Sequence, residues 1–83
     1  MTQEEQNAIV GRFFEALEAL KDSRRIRGTK TFTDRYGIHR GSLLRLRKNP
    51  GTNDFKAAWL TYLVVDYGIS AQWLLTGEGK MHD

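Results

Sequence analysis

The sequence predicts an all-α domain of five helices. Two observations carry that expectation. Apolar residues recur at steps of three and four in successive segments, the period of a helix with one buried face. Glycines, a single proline and small polar residues fall between those segments, where helices start and stop.

The first helix is expected from about Gln3 to Lys21. Thr2 and Glu5 have capping-box spacing, in which each side chain serves the other's backbone N–H. Ile9, Val10, Phe13, Phe14, Leu17 and Leu20 form its apolar face. The segment 22–28 (DSRRIRG) is polar and basic and reads as a connection. A second helix is expected over Thr29–Tyr36, with Phe32 and Tyr36 one turn apart. Gly37 ends it, because glycine adopts the positive φ of a helix C-cap at low cost. Ile38 and His39 complete a turn. A third helix follows over Arg40–Lys48, with Leu43 and Leu46 inward, and Asn49-Pro50-Gly51 stops it.

A fourth helix is expected over about Asp54–Asp66, capped by Asn53 or Asp54 and closed by Gly68. Phe55, Ala58, Trp59, Tyr62, Leu63 and Val65 give it a broad apolar surface, as for a central helix. Ser70 caps a short fifth helix, Ala71–Leu75. Thr76 to Gly79 is loop, and residues 79–83 read as a frayed tail. The whole of 1–83 reads as one domain.

Composition narrows the chemistry. The 83 residues contain no cysteine, which excludes a disulfide scaffold and a cysteine-ligated zinc or iron–sulfur centre. The polar, acidic start is unlike a targeting peptide. The longest mostly apolar run, Ala57–Val65, is about half the ~20 residues of a membrane span. The expectation is a soluble, cytoplasmic protein with no membrane partner. No cofactor, metal or small-molecule ligand is implied. His39 and His82 lie too far apart in the chain for a local ligand pair, and no nucleophile–base arrangement suggests an enzyme.

Charge is more informative than its total of +3. Residues 1–20 hold one arginine against four glutamates. Residues 21–48 hold ten lysines or arginines against Asp22 and Asp34. Residues 49–83 hold two lysines against four acids. The basic surplus is confined to the middle third, and the common partner of such a local field is nucleic acid. A solvated basic face without a partner is the bland alternative.

Thr29 to Lys48 has the dimensions of a helix-turn-helix: two helices of about eight residues and a three-residue turn opening with Gly37. Phe32, Tyr36, Ile38, Leu43 and Leu46 would fix the crossing. Arg40, Gly41, Arg45 and Lys48 would then project outward, with His39 and Ser42 at the rim. Trp59 and Trp73 read as core, and Tyr36, Tyr62 and Tyr67 as core or boundary residues.

The segment TFTDRYGIHRGSLLRLRKN resembles the helix-turn-helix of the lambda-type repressor and Cro superfamily, also called the Xre family. The segment DYGISAQWLLTGEG is similar to the fifth-helix signature of phage repressor N-terminal domains: Ile69-Ser70 match its "VS", and Trp73-Leu74-Leu75 with Gly77 match its "WLL-x-G". The resemblance implies a lambda-repressor-like, sequence-specific regulator of transcription that binds double-stranded DNA. It implies a homodimer on a two-fold operator with half-sites about one helical turn apart. It implies base reading by Arg40, Gly41 and Arg45. It places His39, Ser42, Lys48 and Lys30 near phosphate.

The loop residues Arg24, Arg25 and Arg27 are read as further phosphate contacts, which fix register and carry no sequence information. Neutralising about five phosphates would give log K against log salt a slope near −4 to −5. Three residues depart from the family pattern. Thr33 stands where alanine is usual, so its hydroxyl needs a partner. Leu44 stands where a polar residue is usual, and either packs on the fourth helix or touches a thymine methyl. Gly41 puts a residue without a side chain at a base-reading position. A rival expectation uses the same scaffold as a protein-interaction module, antitoxin-like or anti-repressor in kind, binding through Leu44 and the fourth helix.

Overall fold

The computed structural model describes residues 2–52 and 54–82. Five helices account for the described secondary structure: α1 (Gln3–Asp22), α2 (Thr29–Tyr36), α3 (Arg40–Lys48), α4 (Ala57–Tyr67) and α5 (Ala71–Thr76). The architecture is all-α. No helix among the described residues is long and apolar enough to cross a membrane.

Local chemistry sets the helix ends. The Thr2 side chain accepts from the Glu5 N–H, and the Glu5 carboxylate accepts from the Thr2 N–H, each at 3.1 Å. This reciprocal pairing starts α1. At its other end Arg25 N–H reaches Leu20 C=O at 2.9 Å and Arg24 N–H reaches Lys21 C=O at 3.0 Å. That is a Schellman closure, whose left-handed position usually holds glycine. Here Arg24 holds it, at φ 63°. Gly37, Gly68 and Gly77 occupy the equivalent left-handed caps of α2, α4 and α5.

Phe13 sits at the centre of the core. Its ring meets Phe32 at 5.9 Å, Phe55 at 5.7 Å and Trp59 at 6.0 Å between centroids. Val10, Ala16, Leu20, Leu43, Leu46 and Leu63 fill the space around it, all fully buried. Ile26, the one apolar residue of the α1–α2 connection, is buried with them. Thr33 is also buried, and its hydroxyl donates to Lys30 C=O at 3.0 Å, so the polar atom at the helix crossing is satisfied.

Helix α2 runs antiparallel to α4. Phe32 lies against Tyr67 (6.4 Å) at the C-terminal end of α4, and Tyr36 stacks on Tyr62 at 4.0 Å near its middle. Arg45 reaches Asp54 just ahead of its N-terminus. Burial pushes the Tyr36 phenol up from its ordinary range, and its hydrogen bond to Asp66, at 2.5 Å, adds to the shift.

Four expectations need correction. Helix α4 begins at Ala57, not Asp54, because Lys56 is extended and serves as the cap residue. Asp54 does not cap it; its carboxylate is turned to Arg45. Asn53, the other cap expected there, lies outside the described residues. The segment after Gly79 is not frayed through His82. Met81 C=O accepts from Ser70 N–H at 2.8 Å, Ile69 bridges to His82, and Met81 packs on the core. Val65, counted in the apolar surface of α4, is 73% exposed, and Ala58 is exposed as well.

Candidate nucleic-acid interface

Helix α3 divides cleanly into two faces. Leu43 and Leu46 are fully buried. Arg47, toward α1, donates to Glu18 at 2.9 Å and lies 5.7 Å from the Phe14 ring, tying α3 to its neighbour. With that side held, Gly41, Leu44, Arg45 and Lys48 share the other face at three- and four-residue spacing and line one shallow depression. Arg40 is exposed at the first helical position.

The N-terminus of α3 carries an unusual cap. The His39 Nδ1 accepts the Ser42 N–H at 3.2 Å. A backbone donor there requires an unprotonated Nδ1, so the neutral ring carries its proton on Nε2. The ring folds over Gly41. A Cβ at Gly41 would stand 2.9 Å from His39 Cε1 and 3.3 Å from Nδ1. Glycine at this position is therefore matched to the capping imidazole, a local packing reason that the sequence pattern did not reveal.

Among the cations of this face, Arg45 is held by a carboxylate. Its Nε and Nη2 donate to the two carboxylate oxygens of Asp54 at 2.6 and 2.8 Å. This is the parallel, side-on geometry of an arginine–carboxylate pair. The hydrogen bond from Arg45 holds Asp54 below the usual carboxylate range and raises the guanidinium in turn. Leu44 beside it is 44% exposed and does not bury itself on α4.

The structure does not gather all the expected contacts into one group. Arg40, Gly41, Arg45, Lys48, His39 and Ser42 belong to α3 and its cap. Lys30, near the start of α2, pairs loosely with Asp34 at 3.8 Å, both well exposed. No side chain caps the N-terminus of α2. Arg25 is turned onto α4: its Nη1 donates to Tyr67 C=O at 2.6 Å, and its guanidinium lies 5.3 Å from the Tyr67 ring. It satisfies a carbonyl at the end of α4, about 16 Å along that helix from its start. Arg24 and Arg27 are exposed, and among the described residues neither makes a side-chain hydrogen bond or ion pair.

Two participants were not legible beforehand. Asp54 reads in sequence as a helix cap, and nothing local marks it as the partner of an arginine nine residues earlier. Arg35 was not singled out; it lies over Tyr36 and Tyr67 and pairs with Asp66 at 3.8 Å, bracing α2 against α4. Its clue was only its position between two aromatic-rich segments. No family model matches this chain, and no curated protein or solved structure matches it either.

Proposed function

We propose that the chain is a sequence-specific, double-stranded DNA-binding regulator of transcription, repressor-like in kind, in which α2, the turn and α3 act as a helix-turn-helix. The observation that carries this reading is the division of α3. Leu43 and Leu46 are fully buried while Arg40, Arg45 and Lys48 are exposed, with Gly41 opening the helix start. A rigid helix with one cationic, solvent-facing side is what entry into a major groove requires. Arg45 and Arg40 read guanine edges, and Leu44, beside Arg45, suits a thymine methyl. Lys48, Lys30, Ser42 and the Nε2 proton of His39 face phosphate.

Arg24 supports the same reading. A non-glycine residue in the left-handed region costs on the order of 1–2 kcal/mol. An exposed arginine retained there, where glycine would close the helix more cheaply, fits a residue kept for its charge. The reading includes a homodimer on a two-fold operator and a cytoplasmic setting.

A second reading, the protein-interaction module, has one observation of its own. Leu44 and, on α4 and α5, Val65 and Leu75 are exposed large apolar residues. The test separates the two. Bound duplexes are selected from a randomised library at about 150 mM salt with the native chain and with Arg45→Ala. The expected result is an enriched palindrome whose guanine preference falls about tenfold to a hundredfold in the variant. Binding without an enriched motif would leave a non-specific nucleic-acid binder. No binding would transfer the reading to the interaction module.

A further inference from the structure

We infer that Asp54 is a specificity-positioning residue: it grips Arg45 from the side and aims the free end of the guanidinium at a guanine. The inference rests on the DNA-binding reading above and deepens it. A guanidinium has five N–H donors in one plane. Asp54 takes the Nε–H and one Nη2–H, the lateral edge of the group. The Nη1 hydrogens and the second Nη2 hydrogen remain. The end of the fork therefore still offers two parallel donors, the pair that guanine O6 and N7 accept. Grip and reading use different edges and do not compete.

Exposure runs in the direction such a device needs. The Asp54 side chain is 20% exposed and the Arg45 side chain 62%. The carboxylate is seated against the protein and the guanidinium reaches outward. A long, flexible side chain is thereby held in one orientation before any ligand arrives, which reduces the ordering needed on binding. The carboxylate also offsets the charge of Arg45. Arg45 then adds little to sequence-independent attraction, and most of its effect falls on base choice. The partner is defined by this chemistry: a base edge with two adjacent acceptors, displayed in a major groove.

The decisive comparison is Asp54→Asn, which keeps the shape but removes one of the two acceptors and the charge. Binding to the selected duplex and to duplexes substituted at the guanine is measured for the native chain, Asp54→Asn, Arg45→Ala and the double variant. Thermal melting of each verifies folding. The expected result is a roughly tenfold loss of guanine preference in Asp54→Asn, with non-specific affinity unchanged or higher. In the Arg45→Ala background the same substitution leaves base preference unmoved. A purely structural Asp54 would instead weaken every duplex alike and preserve the ratio, which overturns the inference.

Tighter binding of Asp54→Asn to the guanine site, with the preference kept, would make Asp54 a competitor of DNA and equally overturn it. If Asp54→Asn does not fold, Asp54→Glu displaces the carboxylate by one methylene and Arg45→Lys replaces the fork by a point charge. Retention of the guanine preference in both counts against the inference. A native chain without any base preference sinks the DNA reading and this inference together. A native preference that survives in Asp54→Asn sinks the inference alone.

Discussion

The α1–α2 connection and helix α3 look alike in charge and differ in what the fold does with it. The connection carries Arg24, Arg25 and Arg27; α3 carries Arg40, Arg45, Arg47 and Lys48. In the connection, Arg25 is consumed by the fold, donating to the last turn of α4 and lying on Tyr67. On α3, Arg47 is consumed in the same way by Glu18 and Phe14. Arg45 is gripped but still faces outward, and Arg40 stays exposed. Charge density therefore marks a region, while availability is decided arginine by arginine. A helix end with unpaired carbonyls, or an aromatic face, draws a guanidinium inward.

The sharpest way to break this comparison is at Arg25. Arg25→Ala should destabilise the domain by about 1–2 kcal/mol, because it removes a charged hydrogen bond to a helix-end carbonyl and a cation–π contact. Arg27→Ala, at an exposed site, should fall within about 0.5 kcal/mol of the native chain. Urea unfolding of both variants decides it, and equal stabilities would erase the distinction between structural and available arginines.

At the start of α3, His39→Ala should cost about 1 kcal/mol through loss of the cap. It should also speed amide exchange at Ser42. Gly41→Ala should destabilise the native chain by displacing the imidazole from its 2.9 Å approach. Once His39 is alanine, the same change should become favourable by about 0.5–1 kcal/mol, the ordinary helix preference for alanine. A sum of single effects equal to the double variant would show that ring and glycine are not coupled.

Arg24→Gly should act with opposite signs on two readouts. Relief of the left-handed backbone should raise stability by about 0.5–1 kcal/mol. Loss of the cation should weaken DNA binding and flatten its salt slope by about one. A variant that gains stability with unchanged binding would leave Arg24 without a role in the interface.

The smallest effect is that of pH on the Arg45–Asp54 pair. The carboxyl of Asp54 is held below its unfolded value by Arg45. Its contribution to stability is therefore complete above the ordinary carboxylate range and fades as pH falls through and below it. Melting of the native chain and of Asp54→Asn should converge in acid and separate toward neutrality. Parallel curves across that range would argue against a persistent pair.

The legible part of the molecule is the part governed by neighbours in sequence. Helices α2 and α3 fall at the residues expected for them, and α1 runs one residue further. Capping boxes, left-handed glycines and three- or four-residue apolar spacing act within a few residues, so their outcome is written locally. The two-faced character of α3 was legible for the same reason: Leu43 and Leu46 face one way and Arg45 and Lys48 another by helical geometry alone. What could not be read are contacts across the chain. The late start of α4 accompanies an extended Lys56 and an Asp54 turned to Arg45. The ordered segment through His82 depends on Ser70 and Ile69.

Sequence alone thus determined the helical class, four of the helix starts and the side of α3 that stays in water, because short-range capping and periodic burial decide those. Only tertiary structure decided which cations remain available. It turned Arg25 onto the end of α4, folded His39 over Gly41 and set Asp54 beside Arg45. Such pairings depend on the direction in which packed helices bring side chains together, and a one-dimensional pattern of charge does not contain that direction.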